Sequence, residues 1–250
     1  MKQKILFTTK SKMADVIHTN YGLIPIISRF GIEFGFGNKT IEEVCSDKSI
    51  NVWFVLEIIN SYHNDNYFPE KKLQDFSTKL IIDYLSNTHS YYLDNKIIEI
   101  QDYINEMELA ASIHNLQNIK LLNDFFSEYR EELKQHLGKE DKLIFPYIKN
   151  LEKISESGKI TKEIVDQIKE NSIEKYEKTH DNLEVKLSDL KNLIIKFIPP
   201  VLCPEICQKL LIELFRLESD LQNHANIEEK VLIPKVKLLE KKILKQSENK

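Results

Sequence analysis

From Phe76 onward the sequence falls into four long stretches in which apolar residues recur at steps of three and four, separated by short connections. They run from about Phe76 to Met107, Asn115 to Leu151, Thr161 to Phe197 and Pro204 to Leu244. Such a period over such lengths describes amphipathic helices, and short connections make neighbouring helices antiparallel. The third stretch shows the stripe most clearly, with Ile173, Tyr176, His180, Leu183, Leu187 and Leu190 on one face. Between the third and fourth stretches, Ile198-Pro199-Pro200-Val201-Leu202-Cys203-Pro204 interrupts the helix, because each proline lacks an amide proton and clashes with the preceding turn. Six glycines and seven prolines in 250 residues are too few for the turns of an all-β chain of this length. The expectation is an all-α fold built on an up-down four-helix bundle.

Four of the six glycines (Gly22, Gly31, Gly35 and Gly37) lie before residue 40, which sets the first part of the chain apart. There, Ser11 is expected to cap a short helix through His18. Leu23 to Arg29 forms another, with Pro25 tolerated in its first turn. The run Gly31 to Gly37 reads as a tight turn, Thr40 with Glu43 as a capping box for a helix over Ile41 to Cys45, and Asn51 as the cap of the next. The polar stretch His63 to Lys72 has turn residues and no helical period. The boundary therefore falls within it, giving a small helical N-terminal module over 1–68 and the bundle over 69–250.

With 35 basic against 39 acidic residues the formal charge is −4, which provides no general attraction for nucleic acid or an anionic membrane. The Lys-rich end after Lys235 reads as compensation of a helix dipole and a solvated face. Cys45, Cys203 and Cys207 are odd in number and not spaced as a disulfide framework, so free thiols in a reducing compartment are expected. The first residues contain no apolar leader segment, and no stretch of about 18 apolar residues follows. A cytoplasmic protein, monomeric or homodimeric, is the expectation.

Of the seven histidines, His89, His136, His180 and His224 sit one per long stretch and in phase with its apolar stripe. His89 continues Ile82 and Leu85 toward Leu93, His136 continues Leu133 toward Glu140 and Leu143, and His224 continues Leu217 and Leu221 toward Glu228 and Val231. A single imidazole on such a stripe is ordinarily a core histidine with a hydrogen-bond partner. Four of them with two inward carboxylates ask for a further explanation, because every buried polar group must be satisfied.

The carboxylates belong to an internal repeat. His136-Leu-Gly-Lys-Glu140-Asp-Lys-Leu-Ile-Phe-Pro146 and His224-Ala-Asn-Ile-Glu228-Glu-Lys-Val-Leu-Ile-Pro234 share one pattern at an offset of 88 residues, and Thr88-His89 matches Thr179-His180. The bundle thus reads as a duplicated helical hairpin, with one His on the first helix and His-x3-Glu on the second. Residues four apart share a helix face, so His136 with Glu140 and His224 with Glu228 can each serve a common cluster. Four imidazoles and two carboxylates exceed the needs of one tetrahedral ion. They suit two ions about 3.5 to 4 Å apart, with bridging carboxylates and positions left open for small ligands. Nitrogen and oxygen donors without thiolate favour iron, manganese or zinc.

The same residues resemble those of the hemerythrin-like metal-binding domain, and with the N-terminal run GIEFGFGNKTIEEVC the chain resembles the repair-of-iron-centres family over nearly its whole length. The resemblance implies a non-haem di-iron centre, oxo- or hydroxo-bridged, held by His89, His136, Glu140, His180, His224 and Glu228, with Glu140 and Glu228 bridging. It implies repair of iron-sulfur clusters damaged by nitric oxide or oxidants, with damaged iron-sulfur proteins or an iron acceptor as partners. The alternative within the resemblance is reversible binding or sensing of dioxygen or nitric oxide. That family's N-terminal module usually carries adjacent cysteines where this chain has Gly35-Phe36, which argues against a thiol-dependent step here, and Cys45 does not replace the pair.

Several other residues have ordinary readings. His114 is expected to be exposed or to support a neighbour rather than to ligate, and His18 and His63 have no assigned role. Tyr91, Tyr92 and Tyr176 lie within a turn of proposed ligands and could donate hydrogen bonds or take part in redox steps. Aromatic core packing is the simpler expectation. Gly138, inside a helix, either leaves room for a small ligand or relieves crowding between helices.

Overall fold

The structure is a computed structural model that describes residues 4–111, 116–177, 183–198 and 204–248. His114, Thr179, His180, Asp181, Pro199, Pro200 and Cys203 lie outside the described residues. Among those described there is no β-strand, and none of the helices is long and apolar enough to cross a membrane. The described residues form an all-α fold, a helical bundle with a helical N-terminal part. The chain forms two compact units, Met1–Thr88 with Asn226–Lys235, and His89–Ala225 with Val236–Lys250.

The first unit begins with four short helices, α1 (Met13–Thr19), α2 (Ile24–Ser28), α3 (Ile41–Asp47) and α4 (Val52–His63). Their starts follow the local chemistry. Thr40 and Glu43 form the reciprocal capping box, and Asn51 accepts from the Phe54 amide at 3.0 Å. Pro25 occupies the first turn of α2, where a missing amide costs nothing. The cap of α1 differs from expectation. Lys12 occupies the cap position without a side-chain bond, while Ser11 Oγ accepts from the Thr8 amide at 3.0 Å and closes the preceding turn instead. Gly35 has φ +94°, a conformation L side chains rarely adopt, so the backbone at this position favours glycine.

Helix α5 (Glu70–Asp75) follows, and then α6 (Thr78–Tyr91). An aromatic cluster fastens α6 to the short helices. Tyr84 stacks on Phe30 with ring centroids 5.0 Å apart and meets Phe54 edge-on at 6.0 Å, and Asn87 donates to the Arg29 carbonyl at 2.8 Å. Gln74 of α5 donates to the Lys230 carbonyl at 2.7 Å.

The second unit holds a buried apolar cluster to which four helices contribute: α7 (Ile97–Ala110), α8 (Leu116–Lys139), α12 (Leu183–Phe197) and α13 (Pro204–Ile227). Ile100, Ile104 and Met107, then Leu122, Phe126, Tyr129 and Leu133, then Leu187 and Leu190, then Leu210, Leu214 and Leu217 meet in one buried cluster. Each set keeps the three-and-four spacing that marks a helix face.

Two features depart from the sequence expectation. The first, second and fourth long helices are each interrupted by one π turn: Tyr92–Lys96, Glu140–Ile144 and Glu228–Leu232. In each, an amide reaches back five residues, Ile97 to Tyr92, Phe145 to Glu140 and Ile233 to Glu228. Beyond them the helices continue as α7, α9 (Phe145–Ser157) and α14 (Ile233–Glu248). The extra residue rotates the following face, so Leu143, expected inward, is 61% exposed and Phe145 is buried in its place.

The third stretch is not one helix from Thr161 to Phe197. It divides into α10 (Lys162–Glu170), α11 (Ile173–Glu177) and α12, with a break at Asn171-Ser172. Asn and Ser compete for backbone hydrogen bonds and favour helix ends. Ser172 offers its carbonyl to the Lys175 and Tyr176 amides, while the Ile173 amide is taken by the Glu240 carboxylate at 2.9 Å. Helix α9 ends at Gly158, whose φ of +66° supplies the left-handed C-cap.

Apart from its own helix backbone, a side-chain methyl at Gly138 would meet no described atom within 4 Å, so crowding against the described neighbours does not explain this glycine. Gly138→Ala should therefore stabilise the chain by about 1 kcal/mol, the ordinary helix-interior difference. Phe126→Ala, at a fully buried core position, should cost about 3 to 5 kcal/mol. Chemical denaturation midpoints of the two variants check both signs.

Candidate metal centre

Within the second unit, His89 on α6, His136 on α8 and His224 on α13 bring their side chains to the first residue of a π turn, Glu140. His136 Nε2 is 3.2 Å from Glu140 Oε1, the meeting of neighbours one helical turn apart. His89 Nε2 is 3.4 Å from Glu140 Oε2 and 3.0 Å from His224 Nε2. His89, Glu140 and His224 are all buried. Glu228 is buried as well and follows His224 by four residues in the sequence. Of the six residues expected to form the centre, the structure thus brings four to one place in the second unit. It buries Glu228, and His180 lies outside the described residues.

The chemistry of this donor set fits a cation. Two Nε2 atoms 3.0 Å apart present two lone pairs to one space unless one nitrogen carries a proton, and the Glu140 carboxylate faces the same space. Burial alone would push the Glu140 carboxyl up. The hydrogen bond and charge of His136, with the charges of His224 and His89, outweigh it and hold the carboxyl near about 2. A positive charge among these imidazoles is what the carboxylate is arranged to meet, whether brought by a proton or by a metal ion.

The surroundings hold these groups in place. The His89 ring stacks on Phe145 with centroids 5.4 Å apart, and its Nδ1 lies 3.1 Å from Asp141, in ion-pair range although off the line of a good hydrogen bond. Asp141 is the acidic residue that follows Glu140 in the repeat, and a carboxylate beside the second nitrogen of a ligating imidazole orients the ring. The repeat pointed to the position without revealing its partner.

Tyr176 donates from its hydroxyl to Glu140 Oε1 at 2.6 Å, and Tyr92 donates to Asp220 at 2.9 Å while its ring meets His224 edge-on. For these two tyrosines aromatic packing is not the whole account, because each hydroxyl is tied to a carboxylate. In the N-terminal part Cys45 is a free thiol, and burial pushes it up to about 11. Its thiolate is therefore scarce at neutral pH.

Two of the three π turns start on the Glu of a His-x3-Glu pair, and the third starts three residues after His89. Turns of this kind are frequent at functional sites, where they re-aim side chains that a regular helix would send elsewhere. Pro146 and Pro234, six residues beyond each Glu, were the available signal, since a proline inside a helix removes an amide that the regular pattern needs.

Residues 95–236, more than half of the chain, match the family described as Hemerythrin HHE cation binding domain. The chain belongs to this family. The matched region contains His136, Glu140, His180, His224 and Glu228, and His89 lies six residues before its start. The chain is also 22% identical over 239 residues to the Iron-sulfur cluster repair protein ScdA of Staphylococcus haemolyticus (strain JCSC1435), covering 92% of this chain and 99% of that protein. The likeness therefore extends beyond the family domain into the N-terminal part.

The low Glu140 carboxyl predicts a pH dependence of the metal-free chain. A carboxyl near about 2 when folded and 4.5 when unfolded adds stability above pH 4.5 that is lost as the pH falls toward 2. Denaturation midpoints compared at pH 5 and pH 3 should fall further for the natural chain than for Glu140→Gln, and parallel declines would contradict the assignment.

Proposed function

We propose that the chain is a non-haem di-iron protein that takes part in the repair of damaged iron-sulfur clusters. The observation that carries this reading is the convergence of His89, His136, Glu140 and His224 in the interior of an HHE cation-binding domain. End-to-end similarity to a protein named for iron-sulfur cluster repair supports the role. His89, His136, His180 and His224 would serve as terminal ligands, with Glu140 and Glu228 as bridges.

When bound, two iron ions would supply redox chemistry and coordination positions open to dioxygen or nitric oxide. The chain's own residues prepare that site. Glu140, kept ionised by the neighbouring imidazoles, supplies negative charge where cations must be held. Tyr176 occupies one lone pair of the Glu140 carboxylate, and Asp141 and Phe145 flank the His89 ring. Leu133, Leu137 and Tyr92, all buried, belong to the apolar core of the same unit. The partners would be damaged iron-sulfur proteins or an iron acceptor. The buried thiol of Cys45 and the glycine favoured at position 35 leave the N-terminal part without a cysteine pair, so the role assigned here uses none.

Anaerobic purification followed by elemental analysis should find two iron ions per chain. Glu140→Ala and Glu228→Ala should each lose metal and thermal stability, because the remaining ligands lack a bridge. Unchanged iron content in both would show that the bridges are misplaced. A deletion strain should recover aconitase-type activity after nitric oxide exposure more slowly than its parent, and equal recovery would refute the repair role.

A further inference from the structure

Glu240 is a buried carboxylate on the Lys-rich helix α14, outside the donor set described above. Its Oε1 accepts from the Tyr147 hydroxyl at 2.7 Å and from the Ile173 amide at 2.9 Å. Burial raises this carboxyl and the two donors act against that. Burying a carboxylate is costly, and here the gain is specific: it fastens the first residue of α11 immediately after the break at Asn171-Ser172. Three residues later Tyr176 extends its hydroxyl to Glu140 Oε1 at 2.6 Å, with Lys139 Nζ 5.1 Å from the centroid of its ring. Tyr147, Glu240, the Ile173 amide, Tyr176 and Glu140 form one connected chain of contacts within the second unit.

We propose that Tyr176, anchored through α11 by Glu240, is a positioning residue that fixes the orientation of the Glu140 carboxylate toward the metal pair. The inference rests on the proposed di-iron centre. A neutral phenol at ordinary pH donates one hydrogen bond and brings no charge, so it occupies Oε1 while leaving Oε2 directed toward His89. A carboxylate held in this way cannot exchange freely between its two oxygens as the charge of a bound metal changes. A regular helix through residues 171 and 172 would place no free backbone amide at Ile173, so the break, the buried Glu240 and the Tyr176 contact serve one end.

The test compares iron-loaded natural chain with Tyr176→Phe, which keeps the ring and deletes the hydroxyl, and with Glu240→Ala. Tyr176→Phe should still bind two irons but release them to a chelator about 10-fold or more faster, the usual scale for loss of a partner to a metal ligand. The absorption bands of its oxidised form should shift, and Glu240→Ala should reproduce both changes. The metal-free Tyr176→Phe chain should melt somewhat lower, because the buried Glu140 carboxylate loses one donor. Release rate and spectrum equal to the natural chain, or faster release with an unchanged spectrum, would overturn the inference. If Glu240→Ala fails to fold, Tyr176→Phe alone decides the role of Tyr176. A natural chain that binds no iron would overturn the reading of the centre itself, which separates that failure from this one.

Discussion

The organising constraint is the burial of the Glu140 carboxylate. A carboxylate taken from water must recover its lost hydration from donors and positive charge, and Glu140 draws on His136, His89 and Tyr176, with His224 close enough to add its charge. Each of these partners comes from a different helix. The core can therefore close around Glu140 only if α6, α8, α11 and α13 settle in the register that delivers them. In an all-Leu core those helices could slide, whereas here a slip of one residue would leave a buried charge without its partners.

The π turns are the means by which a helical scaffold reaches that arrangement. A regular helix offers positions only at its own period, and the long hydrophobic stripes serve the core at that period. Inserting one residue at Glu140 and at Glu228 lets each helix satisfy the core on both sides of the site while its first turn residue faces inward. The first helix does the same just after His89. Recurrence of this device at both His-x3-Glu pairs is what a duplicated hairpin would inherit, and it explains why each pair is followed by a proline at the same distance. In the first unit, the Glu228–Leu232 turn also receives the Gln74 hydrogen bond and the Phe68 ring beneath Lys230, so the N-terminal part grips the chain just beyond a proposed ligand.

Much of this was legible beforehand because it is local or periodic. The capping box at Thr40 and Glu43, the Asn51 cap, the proline-initiated α2 and the glycine turn all follow from short-range chemistry, and the structure shows each of them. The Ser11 cap failed because the hydroxyl had a nearer amide at Thr8. The unbroken third helix failed because the backbone amide that a break exposes at Ile173 found its acceptor in Glu240, 67 residues away, which no local pattern announces. Leu143 was placed inward because a strict helical period carries no hint of an extra residue in the turn.

The sequence by itself determined that the chain is helical, that a His-x3-Glu segment recurs at an offset of 88 residues, and that His89, His136 and His224 lie in phase with the apolar stripes of their helices. These are statements about period and repetition, which propensity and side-chain spacing encode directly. Only the tertiary structure decided that His89 and His224 approach to 3.0 Å, that Asp141 attends His89, and that Tyr176 belongs to Glu140 rather than to the core. The physical reason is that an α and a π turn differ by a single hydrogen-bond shift, so local chemistry scarcely distinguishes them. Packing of distant helices and the satisfaction of buried polar groups supply the difference.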